Sequence, residues 1–499
     1  MFRLDQNKTP LFDAVKKYVE DKVIQFHVPG HKQGKGLPEL AEYIGYRALE
    51  MDANGMEDLD YINNPTGVIA EAEELCAEAF GAEHAYFLVN GTTSGVQAMI
   101  MSACSPGDKI IIPRNAHKSV IGGIILSGAV PVYVQPEINT ELGIAMGVSV
   151  EKVKAAIREH PDAKAVFVIN PTYYGVVSDL KSIVNIAHAY GMAVLVDEAH
   201  GAHMYFHDDF PLTAMEAGAD MSAASMHKTA GSMTQSSVLL LNSKTIMPST
   251  VRQVLNLTYT SSGSYLLLCS LDVARKQMAT RGRELLSRTL DLARETRYQL
   301  NRIDEIYAFG KELKGTPGCF DFDETKLGIN IAGLGYTGYQ MEAKLRREYN
   351  IQIELADLYN ILAIMSIADR RENLKALVKA LTEIAHKSNR KGLINSTRIP
   401  YHPEMVVTPR EAFYSPKKVI RLEDAAGEIA GENIMAYPPG IPVVCMGERI
   451  TSDIVEYIKV LKSEKCELQG TSDPNVEYIR VLAEPALAEE KITIPVISS

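Results

Sequence analysis

No CxxC pair occurs among the six cysteines, Cys76, Cys104, Cys269, Cys319, Cys445 and Cys466, which are scattered along the chain. That scatter signals neither a zinc site nor a disulfide framework, so no metal is expected and a reducing cytoplasm fits best. The opening MFRLDQNKTP lacks an apolar signal core, and the longest apolar stretches, such as that around Ile121 to Val134, are interrupted by glycine and proline. No membrane segment is expected. A block of basic charge is also missing. The formal net charge is -11 with the acids spread along the chain, which argues against a nucleic-acid partner and is compatible with a cationic small molecule. Low-complexity tracts and internal repeats are absent. With 46% hydrophobic and 23% charged residues over 499 positions, the composition is that of a folded protein of two or three domains.

What is present begins with a helix predicted over Pro10 to Lys22 and a loop, Phe26 to Gly36, in which proline and glycine exclude a helix. The loop concentrates His27, His31, Lys32 and Lys35, which suits either a surface connector or an active-site arm that touches an anion. From Glu71 onward helical and extended patterns alternate, which implies an α/β class with a parallel sheet wrapped by helices. Strands are expected at Ala85 to Val89, Lys109 to Pro113, Val130 to Val134, Lys164 to Ile169, Met192 to Val196 and Ser237 to Leu241. Helices are expected at Glu71 to Phe80, at Gly95 to Cys104, over Asp179 to Tyr190 with Ser178 as its cap, and from Tyr265 to about Asn301. A smaller α/β domain with strands at Ile351 to Glu354 and Ile361 to Ile367 and a closing helix over Glu372 to His386 follows. The expected division is residues 1–60 as arm and loop, 61–301 as large domain, 302–387 as small domain and 388–499 as a C-terminal α+β domain. Residues 387–398 read as a linker, and Tyr437 to Pro442 as a turn.

The chemistry concentrates on Ser225-Met226-His227-Lys228 and on Asp197, which closes a predicted strand. A lysine among small polar residues can hold an aldehyde as a Schiff base, and a carboxylate at a strand's carboxyl end can hold a pyridinium nitrogen. Together they predict the two ends of a bound pyridoxal 5'-phosphate. Asn90-Gly91-Thr92-Thr93-Ser94-Gly95, between a strand and a helix, is either an N-cap turn or a phosphate cradle of backbone amides and the hydroxyls of Thr92, Thr93 and Ser94. His117 follows a strand and is placed to stack on a pyridine ring. In Asp197-Glu198-Ala199-His200, the small Ala199 lets a ring lie flat, and His200 can reach a phenolic oxygen. Ser225 and His227 add phosphate contacts. The DEAH spelling also occurs in helicases, but no GxxxxGK[ST] loop precedes it.

The series FHVPGHKQGKG, NGTTSG, PRNAHKS, NPTYYG, DEAHGAH, SMHKTAGSMTQSS, SLDVAR and AYPPGIP resembles the bacterial Orn/Lys/Arg decarboxylases, over about Phe26 to Glu448. Within that family it is most similar to the short biosynthetic arginine decarboxylases. Only about twenty-five residues precede FHVPGHK, so the N-terminal wing of the long acid-induced enzymes is not expected. The resemblance implies the aspartate aminotransferase-like fold type I of pyridoxal phosphate enzymes. It also implies decarboxylation of a basic amino acid, arginine to agmatine for polyamine synthesis. Lys228 is then the Schiff-base lysine, Asp197 the partner of the ring nitrogen and His117 the stacking ring, with Thr92, Thr93, Ser94, Ser225 and His227 on the phosphate.

The family also implies a homodimer or larger assembly with sites at subunit boundaries, where His31, Lys32, Ser261 and Ser262 meet a neighbour's cofactor. Glu354 and Asp357 are the candidate acids for the substrate's distal cation, against the alternative of a solvated turn. Two departures from the family pattern stand out: Asp60-Tyr61-Ile62-Asn63 replaces DDLH, and Met446-Gly447-Glu448 replaces PGE. Lysine or ornithine are the alternative substrates. A fold type I aminotransferase or acyl-CoA-using synthase would employ the same lysine and aspartate, and a regulatory homologue would keep the fold without catalysis.

Overall fold

The computed structural model describes residues 2–388, 392, 403–437 and 441–483. The chain divides into two compact units, 1–395 and 396–499. In the first, β1 (His84–Leu88), β2 (Lys109–Pro113), β3 (Val130–Val134), β4 (Ala165–Ile169), β5 (Ala193–Asp197), β6 (Met221–Ala224) and β7 (Ser237–Leu241) form one sheet in the order β1-β7-β6-β5-β4-β2-β3. Strands β4 (AVFVI) and β5 (AVLVD) are apolar over consecutive residues because helices cover both faces of the sheet. The sheet is mostly parallel. The exception is β7, antiparallel to both neighbours, because β6 reaches it through one helical turn, Met226–Thr229, instead of a crossover helix.

Helices α1 (Pro10–Glu20), α2 (Val68–Ala79), α3 (Gly91–Ala103), α4 (Lys118–Ser127), α5 (Leu180–Ala189), α6 (Met226–Thr229) and α7 (Tyr265–Leu300) accompany the sheet. Asp179, not the expected Ser178, caps α5. Its carboxylate accepts the Ser182 N–H at 3.1 Å and the Ser182 hydroxyl at 2.7 Å, while Ser178 is buried. The 36-residue α7 touches distant parts of the unit. Near its start the buried Asp272–Arg275 pair accepts the Leu11 and Phe12 N–H groups of α1 and donates to the Gln6 and Lys8 carbonyls. Near its end Arg297 donates to the Phe309 and Lys326 carbonyls.

Those two carbonyls belong to a second sheet, β8 (Tyr307–Phe309), β9 (Lys326–Asn330), β10 (Leu355–Ala356) and β11 (Asn360–Ile364), antiparallel in the order β8-β9-β11-β10. The strand expected at Ile351 to Glu354 starts later, at Leu355, because the Ile351 N–H still bonds back to Leu345 O at the end of the preceding helix. The closing helix is Arg371–Lys387. The second unit is α+β: the helices Pro409–Tyr414 and Ser452–Ser463, an antiparallel pair Lys417–Arg421 with Tyr478–Leu482, and a three-stranded antiparallel sheet. Most of the expected linker, and Pro438 to Gly440 of the expected turn, lie outside the described residues. Among the described residues no helix is long and apolar enough to cross a membrane, and no group of three or more His, Cys, Asp or Glu is arranged to hold a metal.

Asp60, which opens the segment departing from DDLH, has a structural role. Its φ is +68°, and its carboxylate accepts the N–H groups of Tyr61, Thr66, Gly67, Ile69 and Ala70 at 2.8–3.3 Å, closing the start of α2. Burial opposes ionisation there, but the N–H donors outweigh it and lower the pKa below 3.8. Asp60→Ala is expected to destabilise the chain by about 2–4 kcal/mol, read by urea unfolding. Because the folded pKa is lowered, the wild-type advantage over Asp60→Asn is present above the unfolded value and fades as the pH falls through the folded one.

Candidate active site

Five chain segments converge at the carboxyl edge of the parallel strands. After β1 comes the N-terminus of α3, after β2 the N-cap His117 of α4, at the end of β5 Asp197, after β6 the turn carrying Lys228, and before β7 the loop ending at Ser236. Together they enclose a cavity of about 270 Å³ walled by Thr92, Thr93, His117, Asp197, Ala199, His200, Ser225, His227 and Lys228. Nine of the residues singled out from sequence therefore share one space. Gly91, Ser119, Ile169, Tyr173, Thr234 and Gln235 complete its wall.

At one end, Thr92 Oγ1 bonds to the hydroxyls of Ser225 and, at 2.9 Å, Ser237, so three segments meet on one oxygen. Gly91, with φ +71°, turns the chain into α3 and gives its N–H to Gln235 O. The later N–H groups of that first turn have no intrahelical acceptor, which makes this end a place for an anion. Ser94 is the exception to the sequence expectation. It is buried, it does not line the cavity, and its hydroxyl donates to Gly91 O at 2.8 Å. His227 Nδ1 meets the Ser236 carbonyl at 2.9 Å, so Nδ1 carries a proton.

At the other end, Asp197 receives the Ala199 N–H at 2.9 Å and opens on the cavity. Burial raises its carboxyl pKa, against the opposing pull of that N–H and of Lys228. Lys228 Nζ lies 3.0 Å from His200 Nε2. Burial lowers the lysine pKa, while Asp197 and Glu354 favour its charge. Burial, followed by the charge of Lys228, drives the His200 pKa well down. Burial thus disfavours the charged form of both groups, and the imidazole is the neutral acceptor beside the amine.

His117 Nδ1 accepts the Ser119 N–H at 3.2 Å, which assigns the ring proton to Nε2. Burial and then the charges of Lys228 and Lys118 push its pKa down to about 4. In ligand-free protein, one histidine NMR signal, missing from His117→Phe, is expected to titrate near that pH and to carry its proton on Nε2. A signal titrating near 6.5 would contradict the burial argument.

The cavity fits pyridoxal phosphate at each end. An open buried carboxyl, an amine whose charged form burial disfavours, and a helix N-terminus ringed by hydroxyls are the complements of its ring nitrogen, aldehyde and phosphate. His200 Nδ1 and Thr229 Oγ1 are buried without a hydrogen-bond partner in the ligand-free chain, so the site retains unused polar capacity.

Other sequence candidates lie outside this wall. Asp357 is engaged away from the cavity: it accepts from the distant Tyr174 OH and, in its own turn, from the Tyr359 and Asn360 N–H groups and Asn360 Nδ2, and this corrects its expected place at the substrate. Glu354 is exposed, with its charge acting on Lys228 and His227. His31 is held between Asp52 and the Gly34 N–H, and Lys32 donates to His27 O. Ser261 and Ser262 are exposed. Conversely, no sequence signal assigned a role to Tyr173, whose ring meets that of His200 edge-on at 4.9 Å, although it lies in NPTYYG. Gln235 was missed because its positive φ, +80°, is not visible in composition.

Two solved structures share the fold. The constitutive lysine decarboxylase of Escherichia coli matches with a TM-score of 0.81 at 21% identity, over 96% of this chain and 82% of that one. An alanine–glyoxylate aminotransferase from Nostoc sp. matches with a TM-score of 0.53 at 18% identity, over 65% and 88%. The fold is thus that of the fold type I pyridoxal phosphate enzymes. The arginine decarboxylase of Bacillus subtilis (strain 168) is 47% identical over 485 residues, 96% of this chain and 99% of that protein. The model of the Orn/Lys/Arg decarboxylase major domain matches residues 9–328, and that of the C-terminal domain matches residues 394–474. With this geometry and these matches, the chain belongs to the Orn/Lys/Arg decarboxylase family.

Proposed function

We propose that the protein is a pyridoxal phosphate-dependent decarboxylase converting L-arginine to agmatine and carbon dioxide, in the service of polyamine synthesis. The observation that carries this reading is the convergence of Lys228, Asp197 and His117 on one cavity. The choice of arginine leans on the near full-length similarity to an arginine decarboxylase. Bound at this site, the cofactor supplies an electron-withdrawing ring that takes up the charge left when the carboxylate departs.

The chain's own residues do the rest. Asp197 keeps one oxygen on the Ala199 N–H and offers the other to a ring N–H, so the ring nitrogen stays protonated. Lys228, whose charged form burial disfavours, is a nucleophile and afterwards a proton carrier, with His200 Nε2 as its neighbour for exchange. His117 and Ala199, both on the cavity wall, would hold the ring by stacking and by leaving room for it. Thr92, Thr93, Ser225, His227 and the first turn of α3 hold the phosphate, with Ser94 supporting that turn through Gly91. The apolar surface of Ile169 and Ala199 limits water. Glu354 is the acid for the substrate's distal cation, since its charge already acts on Lys228. The protein acts in the cytoplasm as a homodimer or larger homo-oligomer, with His31, Lys32, Ser261 and Ser262 facing a neighbouring subunit's cavity.

The test is to incubate purified protein and cofactor with arginine, lysine and ornithine and to identify the products by mass. Agmatine with carbon dioxide is expected. Cadaverine or putrescine alone would reassign the substrate, and a keto acid without gas would mean transamination.

A further inference from the structure

Behind the cavity wall, the ammonium of Lys326, the first residue of β9, is fully buried. It donates to Asp323 Oδ2 at 2.8 Å and to the backbone carbonyl of His200 at 3.1 Å. Asp323, equally buried, also takes His203 Nε2 at 3.1 Å on Oδ2. Its other oxygen takes the Thr325 N–H at 3.0 Å and the Thr325 hydroxyl at 2.6 Å. None of these four residues lines the cavity.

A buried ion pair contributes little stability over a well-packed apolar pair, so its geometry is the more informative property. One branch of the ammonium ends on the residue whose imidazole touches Lys228. His200 Nδ1 has no partner of its own, so beyond the Lys228 amine at Nε2 and the edge-on Tyr173 ring, the ring's position depends on its backbone. The clamp is closely packed. A Cβ on Gly175, at φ +90°, would lie 2.7 Å from Asp323 O and 3.1 Å from Lys326 Cβ, and Arg297 of α7 holds the Lys326 carbonyl at 2.9 Å.

We propose that Lys326 is a positioning residue: anchored by Asp323 and His203, it grips the His200 carbonyl and so fixes the His200 imidazole against the Lys228 amine. The proposal rests on the decarboxylase reading for what Lys228 does. The ammonium also contributes a like charge that disfavours a proton on Lys228, whereas Asp197 and Glu354 favour one. His200, His117 and His227 share the cavity with that amine.

The double variant Lys326→Met/Asp323→Asn removes both charges and strands neither, and its fold is checked by circular dichroism. In the holoenzyme its kcat is expected to fall about 10- to 100-fold with KM nearly unchanged, the signature of a misplaced group. Separately, ligand-free protein is acetylated across a pH series and modification of Lys228 is read by peptide mass. In Lys326→Met alone the Lys228 midpoint is expected to rise, because a like charge is lost and a carboxylate remains. In the double variant the midpoint returns toward wild type while kcat stays low. Wild-type kcat in the double variant, or an unaltered Lys228 profile in Lys326→Met alone, would overturn the proposal. Absence of amine from wild type with all three amino acids, alongside a shifted Lys228 profile in Lys326→Met, would sink the functional reading and leave the lysine's environment as assigned here.

Discussion

Lys228→Ala is expected to reduce agmatine release by at least about 10³-fold while the protein stays folded. The lysine sits on the single turn α6 between β6 and β7, where burial lowers its pKa against the pull of Asp197 and Glu354. An amine whose charged form is disfavoured by burial can attack a carbonyl carbon and later carry a proton; a methyl group can do neither. The fold should tolerate the change, because the side chain faces an existing cavity, its hydrogen bond is to His200, and alanine suits a helical turn. Lys228→Arg should be equally inactive, since a guanidinium does not deprotonate. The assay is product mass together with the visible absorbance of bound cofactor. Undiminished agmatine from Lys228→Ala would remove this residue from the reaction.

Asp197→Asn should lower kcat by about 10²- to 10³-fold, because an amide cannot keep a ring nitrogen cationic. In the ligand-free protein the same change should do the opposite to stability. The folded pKa of Asp197 is raised, with burial the leading cause, so its favourable contribution is full below the unfolded value and is lost as the pH rises through the folded one. Above that window wild type carries an unfavourably buried charge, and the variant should melt about 1–3 °C higher. Toward acid pH the two should converge. Saturating cofactor should reverse the order, because the carboxylate then has a cationic partner. A ligand-free variant that melts below wild type at pH 8 would contradict the burial argument.

Local signals carried much of this protein's reading. Apolar runs, bounded by glycine and proline at β2 and β3 and by small polar residues at β7, marked those strands at their observed bounds. Asp197 at a strand's carboxyl end and the serine-flanked Lys228 were legible because both depend on residue type and on the order of elements. The cap of α5, by contrast, was assigned one residue early. A neighbouring serine and aspartate are equally eligible in sequence, and only the direction of their side chains separates them. Asp60 was read only as the first residue of a tetrapeptide that departs from a family motif, yet it closes the start of α2 through five backbone N–H groups.

The sequence by itself determined the α/β class, the order of motifs and the types of group available to a cofactor, since these follow from periodicity and from what each side chain can do. Tertiary structure decided which of those groups have hydrogen-bonding capacity left to offer. Asp357 meets Tyr174 from 183 positions away and Lys326 meets the His200 carbonyl from 126, and pairings at such separations arise only when the chain closes around its core. That closure also removed water from Lys228, Asp197 and His117. Their altered proton affinities are therefore properties of the folded protein, with no counterpart in the linear chain.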